Sequence, residues 1–252
     1  MTMTHRSRTV PRTGALPRDT ALQLAETEYR RSFRLIESLR GRQWDARTEC
    51  PGWDVRQMAA HMLGMVEMAA SLREQRRQVR AAERRGGLFI DALTGVQVDE
   101  RADMAPAEIV DRFAARWPKA LRGRRRTPGF IRRRPLPQQQ MVGDRPETWT
   151  VGYLIDIVLT RDPWMHRVDL ARATGAEHVL TADHDGVLVA DVVAEWADRH
   201  GRPFVLHLTG PAGGEWSRGT GGEEIELDAV EFCRTLSRRR PGTGLLTTEV
   251  PF

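Results

Sequence analysis

Apolar positions recur at three- and four-residue steps over four stretches of the chain. Between residues 20 and 39 they are Leu22, Ala25, Tyr29, Phe33, Ile36 and Leu39, the stripe of an amphipathic helix with Asp19 available as its cap. Val55, Met58, Met62, Met65 or Val66, Ala69 and Leu72 trace a second stripe, which the pattern lets run on to about Arg84. Pro106, Ile109, Val110, Phe113, Ala114 and Trp117 make a third, with Pro106 suited to a first turn. The fourth starts near Trp149 and continues through Val151, Leu154, Ile155, Val158, Leu159, Met165 and Leu170 to Gly175, a suitable helix stop. Pro163 lies inside it and predicts a kink or a restart. Residues 43–53 read as an irregular connection, and residues 85–99 show no clear period. Four such helices around one core predict a bundle.

The texture changes after residue 180. A helical stretch at residues 187–200 precedes the alternating, β-branched residues 203–209, a strand; a second strand is read at 224–227 and a helix at 229–236. The glycine clusters at 210–214 and 219–222 lack a following Lys-Ser or Lys-Thr and open no βαβ helix, so they are read as hairpin turns rather than phosphate loops. The fold class is therefore α+β: a helical bundle over residues 18–178 and a small α+β domain over residues 179–252. Residues 1–17 are basic, without the apolar run of a secretory signal, and are expected to form a disordered tail on a cytoplasmic protein.

Composition narrows the function classes. No window approaches the ~18 uninterrupted apolar residues of a spanning helix, so no membrane partner is expected. Cys50 and Cys233 are too few for a disulfide scaffold and read as free thiols. All of the 39 basic residues except Lys119 are arginine, which lowers the weight of any single arginine. Seven arginines crowd residues 122–134 around Pro128 and Gly129. Without aromatic interleaving, zinc spacing or a helix-turn-helix pattern, this run reads as a solvated loop or an anion-attracting rim, and nucleic-acid binding ranks last.

Three residues carry candidate chemistry. His61 follows Met58 by three and precedes Met65 by four, so it points from an apolar stripe into the bundle. Asp162 and His166 are four apart and share one helix face. A buried carboxylate is costly unless paired or metal-bound, and two imidazoles beside it would serve a divalent cation. Two neutral imidazoles and a carboxylate suit zinc and leave a fourth position for water or a substrate sulfur; iron, nickel and manganese also accept these ligand types. Asp169 is placed to orient His166 or, alternatively, to pair with Arg167 or Arg172.

The phrases Cys50-Pro-Gly-Trp-Asp-Val-Arg-Gln-Met-Ala-Ala-His61, Arg161-Asp-Pro-Trp-Met-His-Arg-Val-Asp169 and Leu245-Leu-Thr-Thr-Glu-Val-Pro-Phe252 resemble the actinobacterial mycothiol-dependent maleylpyruvate isomerase family. The resemblance implies that residues 18–178 form a DinB-like metal-binding four-helix bundle. It implies a divalent metal, usually zinc, on His61, Asp162 and His166, with aspartate where the family has glutamate. It also implies mycothiol as a low-molecular-weight thiol cosubstrate, a small-molecule electrophile such as maleylpyruvate, and an arginine from the C-terminal domain, for which Arg239 is the match. The function expected is a thiol-dependent isomerase or S-transferase. The alternative is a non-catalytic DinB-like metal-binding module in stress response or detoxification. Monomer and dimer are both compatible with the sequence.

Overall fold

The computed structural model describes residues 10–252. Its helical half contains, in chain order, α1 (Arg18–Ser38), α2 (Val55–Ala70), α3 (Leu72–Arg85), α4 (Phe89–Asp99), α5 (Pro106–Arg126), the single turns α6 (Gly129–Arg132) and α7 (Val151–Tyr153), and α8 (Leu159–Thr174). Between α6 and α7 lies an antiparallel ribbon, β1 (Gln140–Val142) with β2 (Arg145–Glu147). The C-terminal part contains α9 (Val187–His200), β3 (Phe204–Thr209), β4 (Gly214–Arg218), β5 (Glu223–Asp228) and α10 (Ala229–Leu236). Among the described residues no helix is long and apolar enough to cross a membrane.

The four expected stripes become α1, α2, α5 and α8, whose apolar faces, with Leu170 from α8, build the bundle core around Ile36, Met58, Leu63, Ile109 and Phe113. The second stripe does not run on unbroken. Ser71 leaves the helical region at φ −149° and ψ 119°, and its hydroxyl accepts from the Glu74 N–H to cap a separate, polar α3. The aperiodic residues 85–99 contain α4, which packs Ala92 and Leu93 against Met68 and Ala82. The first helix starts on Pro17 rather than Asp19, which instead sits in the first turn, where a carboxylate meets the positive end of the helix dipole.

The fourth stripe is interrupted as well. A π-helical turn at Leu154–Val158 joins α7 to α8, a distortion that re-aims the following residues. Pro163 has no N–H to give the Leu159 carbonyl one turn earlier, and Arg124 Nη1 donates to that carbonyl instead, at 3.1 Å. The arginine run at 122–134 is therefore not simply a solvated loop: its first half is the end of α5, and Arg124 is buried as a prop for the first turn of α8.

α8 is buried on nearly every side because it serves two cores. Leu170 joins the bundle, while Trp164, Met165 and Val168 pack against α9, the three-stranded sheet and α10. The sheet order is β4-β3-β5, with β4 antiparallel and β5 parallel to β3. The turn at 210–213 is thus a hairpin as expected. The glycines at 219–222 carry the chain across the end of β3 to the opposite edge, which corrects the second hairpin. β4 itself was not expected from sequence. Of the anticipated tail, residues 1–9 lie outside the described residues. The rest does not float free: Arg12 exchanges backbone hydrogen bonds with Thr148 and Thr150, and Leu16 packs on both the C-terminal core and the cluster around Trp149.

Candidate metal centre and its cavity

The segment before α2 builds one side of the site. Gly52 adopts φ +83°, a turn conformation that glycine accepts without strain. Asp54 then caps α2 in a reciprocal box with Gln57: the Gln57 N–H donates to Asp54 Oδ1 at 2.8 Å, and the Asp54 N–H donates to Gln57 Oε1 at 2.9 Å. The fixed entry seats Trp53 with its ring centroid 5.2 Å from that of His61 and 6.2 Å from that of His166.

The structure brings His61, Asp162 and His166 together. Asp162 Oδ1 lies 3.5 Å from His61 Nε2 and 3.4 Å from His166 Nε2, and one ligand atom from each residue lies within 4.8 Å of the others. These separations exceed an ordinary hydrogen bond. They match the distance between two ligands on a tetrahedral ion, about 3.4 Å for bonds of about 2.0–2.2 Å. Aspartate, although a methylene shorter than glutamate, reaches both rings.

Two hydrogen-bond relays decide what these rings present. The Gly64 carbonyl can only accept, so it fixes the Gln78 amide, whose Nε2 donates to it at 3.1 Å. Gln78 Oε1 then accepts from Gln97 Nε2 at 2.9 Å, leaving Gln97 Oε1 to accept from His61 Nδ1 at 2.8 Å. On the other side Arg239, a pure donor, holds Asp169 through Nε at 2.7 Å and Nη2 at 2.6 Å, and Asp169 Oδ2 lies 3.2 Å from His166 Nδ1. In both rings Nδ1 therefore carries a proton, and Nε2 is the nitrogen left to face Asp162. Three potential ligand atoms converge on one point, an arrangement that a metal cation would satisfy and that a proton on His166 satisfies without one.

Gly64 is part of the relay in a second sense. A Cβ there would lie 2.6 Å from Gln97 Cγ, so the glycine lets α4 deliver its amide to His61. Gln97→Met, which keeps volume and removes the acceptor, is expected to weaken metal binding by about 10- to 100-fold, measured by competition with a chromophoric chelator; unchanged affinity would remove the relay from the site.

The electrostatics agree with the geometry. Burial alone would raise the Asp162 carboxyl, but His166 and His61 outweigh it and hold it well below the carboxylate range. Burial opposes protonation of His166, yet Asp162 pulls its pKa well above the usual imidazole value in the absence of metal. Asp169 is held down to about 2 against burial by its hydrogen bonds to His166 and Arg239. Of the two alternatives for Asp169, it orients His166. Arg167 is spent on Glu28 and Asp185, and Arg172 on Glu49. Both cysteines are free. Cys50 lies beside this relay, with Sγ 3.7 Å from Asp169 Oδ2 and 3.6 Å from Arg239 Nη2.

A cavity of about 320 Å³ reaches His61 and Asp162. Met65, Phe89, Leu93 and Val158 form part of its wall, and the chain end contributes Pro251 and Phe252. The final residues are held there because Val250 N–H donates to the Leu236 carbonyl and Arg161 Nη1 donates to the Pro251 carbonyl. Gln97 and Gln78 were missed by sequence reasoning; the available signal was a glutamine at position 97, four after Leu93 and next to Val96 on the buried stripe of α4.

Fold and site together define a helical bundle with a candidate metal centre at its junction with a small α+β unit. The family model for the mycothiol maleylpyruvate isomerase N-terminal domain matches residues 25–171, and the chain belongs to that family. It is similar in fold to two crystal structures of mycothiol-dependent maleylpyruvate isomerase, one of them a point mutant. TM-scores are 0.58 and, for the mutant, 0.57; each match has 16% identity and covers 94% of this chain and 95% of the other. No curated protein sequence matches it.

Proposed function

We propose that the protein is a metal-dependent enzyme that uses a low-molecular-weight thiol, mycothiol in the first instance, to isomerise a small electrophile or transfer sulfur to it. The observation that carries this reading is the convergence of two imidazole Nε2 atoms and one carboxylate oxygen beside an open cavity. In this reading His61, Asp162 and His166 hold a divalent cation, and the donor types and spacing suit zinc. A divalent cation at such a site lowers the pKa of a thiol beside it, so that the sulfur is nucleophilic at neutral pH. Gln97 and Asp169 keep both rings in the ligating tautomer. Arg239 is a positioning residue: Nε and Nη2 are both engaged with Asp169 and it does not line the cavity, so it acts through His166 rather than as the catalytic arginine expected from the family resemblance.

Addition of the sulfur to one carbon of a cis double bond, rotation, and loss of the same sulfur give isomerisation with no net change in atoms. S-transfer stops after addition, with a proton delivered to the neighbouring carbon. Maleylpyruvate is one candidate electrophile. The cavity favours an enzyme over a non-catalytic metal-binding module, because a purely structural site has no use for an open position.

Zinc-loaded protein is expected to melt at higher temperature with mycothiol than without it, since a ligand of the native state at about 100 times its Kd adds about 2.7 kcal/mol. Differential scanning fluorimetry across a panel of small thiols reads this. Absence of a shift with every thiol would favour the non-catalytic module.

A further inference from the structure

We propose that the electrophile is uncharged and largely apolar, rather than a dicarboxylate such as maleylpyruvate; this rests on the thiol-dependent reading above and narrows its substrate. The wall of the cavity is the first observation. Among the described residues no arginine or lysine lines it, although the chain carries 39 basic residues, and its carboxylates, Asp91 and Asp162, are of the sign that repels an anion. The polar remainder is amide and hydroxyl: Gln75, Thr94 and the run Gln138, Gln139 and Gln140 can hydrogen-bond a carbonyl but cannot neutralise a carboxylate.

The second observation is that Arg239, the arginine that holds the orienting partner of His166, is already committed. Arg239 is only 12% exposed and makes a two-pronged pair with the fully buried Asp169. Releasing it toward a substrate would leave that carboxylate unpaired and His166 without its orienting partner. The centre itself offers no surplus of positive charge either: a divalent cation, the Asp162 carboxylate and one thiolate sum to zero.

The mouth is the third. Leu88, Ile90 and Met141 are 57%, 39% and 47% exposed, and all three line this cavity. Solvent-exposed apolar side chains clustered at one opening mark a place where apolar surface is to be covered. They stand at the N-terminal end of α4 and on the β1–β2 ribbon, so the opening is framed by apolar groups on two sides.

The test compares matched ligands that differ in charge. Diethyl succinate and succinate do not react with thiols and report binding alone; their unsaturated counterparts, diethyl maleate and maleate, report turnover. Binding is measured by ligand-observed NMR on zinc-loaded, mycothiol-saturated protein and on the His61→Ala variant. Turnover is measured on the loaded protein. The diester is expected to bind at least tenfold more tightly than the diacid to both proteins. Ile90→Arg at the mouth and Leu93→Arg in the wall are each expected to shift the ratio at least tenfold toward the diacid; the exposed Ile90 site keeps the test readable if Leu93→Arg does not fold. Preference for the diacid, equal binding, or no detectable binding of either ligand would overturn the proposal. Loss of turnover for both substrates with the diester preference intact would instead count against the metal-thiol chemistry and leave the charge preference standing.

Discussion

Replacing His61 with alanine is expected to reduce bound zinc from stoichiometric to a small fraction and to abolish thiol-dependent turnover. The loss should exceed the roughly 100-fold effect of removing an orienting partner, because it deletes one of three donors and leaves two converging acceptors with nothing to hold a cation between them. Elemental analysis of the purified variant checks it, and full metal content would remove His61 from the ligand set. The fold should survive: His61 is buried on α2 but surrounded by Met58, Met62 and Trp53, which an alanine leaves in place. The same chemistry fixes the sign of the pH dependence. Without metal, Asp162 holds a proton on His166 well above the ordinary imidazole range. Metal must displace that proton, so zinc affinity rises with pH until His166 is fully deprotonated and falls as the solution is acidified. Equilibrium titrations at a series of pH values should show affinity falling towards acid pH; a flat profile would mean that the ion is held elsewhere.

The convergence of His61, Asp162 and His166 was legible because helical periodicity places side chains by arithmetic. A histidine among methionines at three- and four-residue steps must face the core, and a carboxylate four residues before a histidine must share its face. The groups that tune those ligands were not legible, and for physical reasons. Gln97 and Gln78 come from α4 and α3, which have mixed or mostly polar surfaces and are defined by packing on α2 rather than by a stripe of their own. Arg239 was found only through family resemblance, since one arginine among 38 carries no signal of burial. β4 was missed because a short edge strand with no fully buried residue offers one large apolar side chain, Trp216, too little to mark a strand in sequence. The π-helical turn before α8 leaves no trace in composition either, yet it precedes the turn that carries Asp162.

Arg161→Met is expected to destabilise the protein by about 3–5 kcal/mol, the range for breaking a buried pair by removing one partner. Its guanidinium is 1% exposed; Nη1 donates to Glu195 at 2.8 Å and Nη2 to Asp191 at 2.5 Å. The two carboxylates do not suffer equally. Glu195 keeps Arg199 and the Tyr153 hydroxyl, at 2.7 and 2.6 Å, whereas among the described residues Arg161 is the only cation paired with Asp191. Burial already holds the Asp191 carboxyl above its ordinary value despite Arg161, and removing the guanidinium pushes it further up. A carboxyl with a raised folded-state pKa contributes stability that is present at low pH and is lost as pH rises through that pKa. The deficit of the variant should therefore be largest near neutrality and shrink on acidification toward pH 5. Adding Asp191→Asn should recover a large part of it at pH 7, a coupling that chemical denaturation of the single and double variants measures. Additive effects would mean that the pair contributes packing alone. The site should feel the loss as well, since Arg161 ties α8 to α9 and to the Pro251 carbonyl, next to the Phe252 that lines the cavity, and its neighbour in sequence is Asp162.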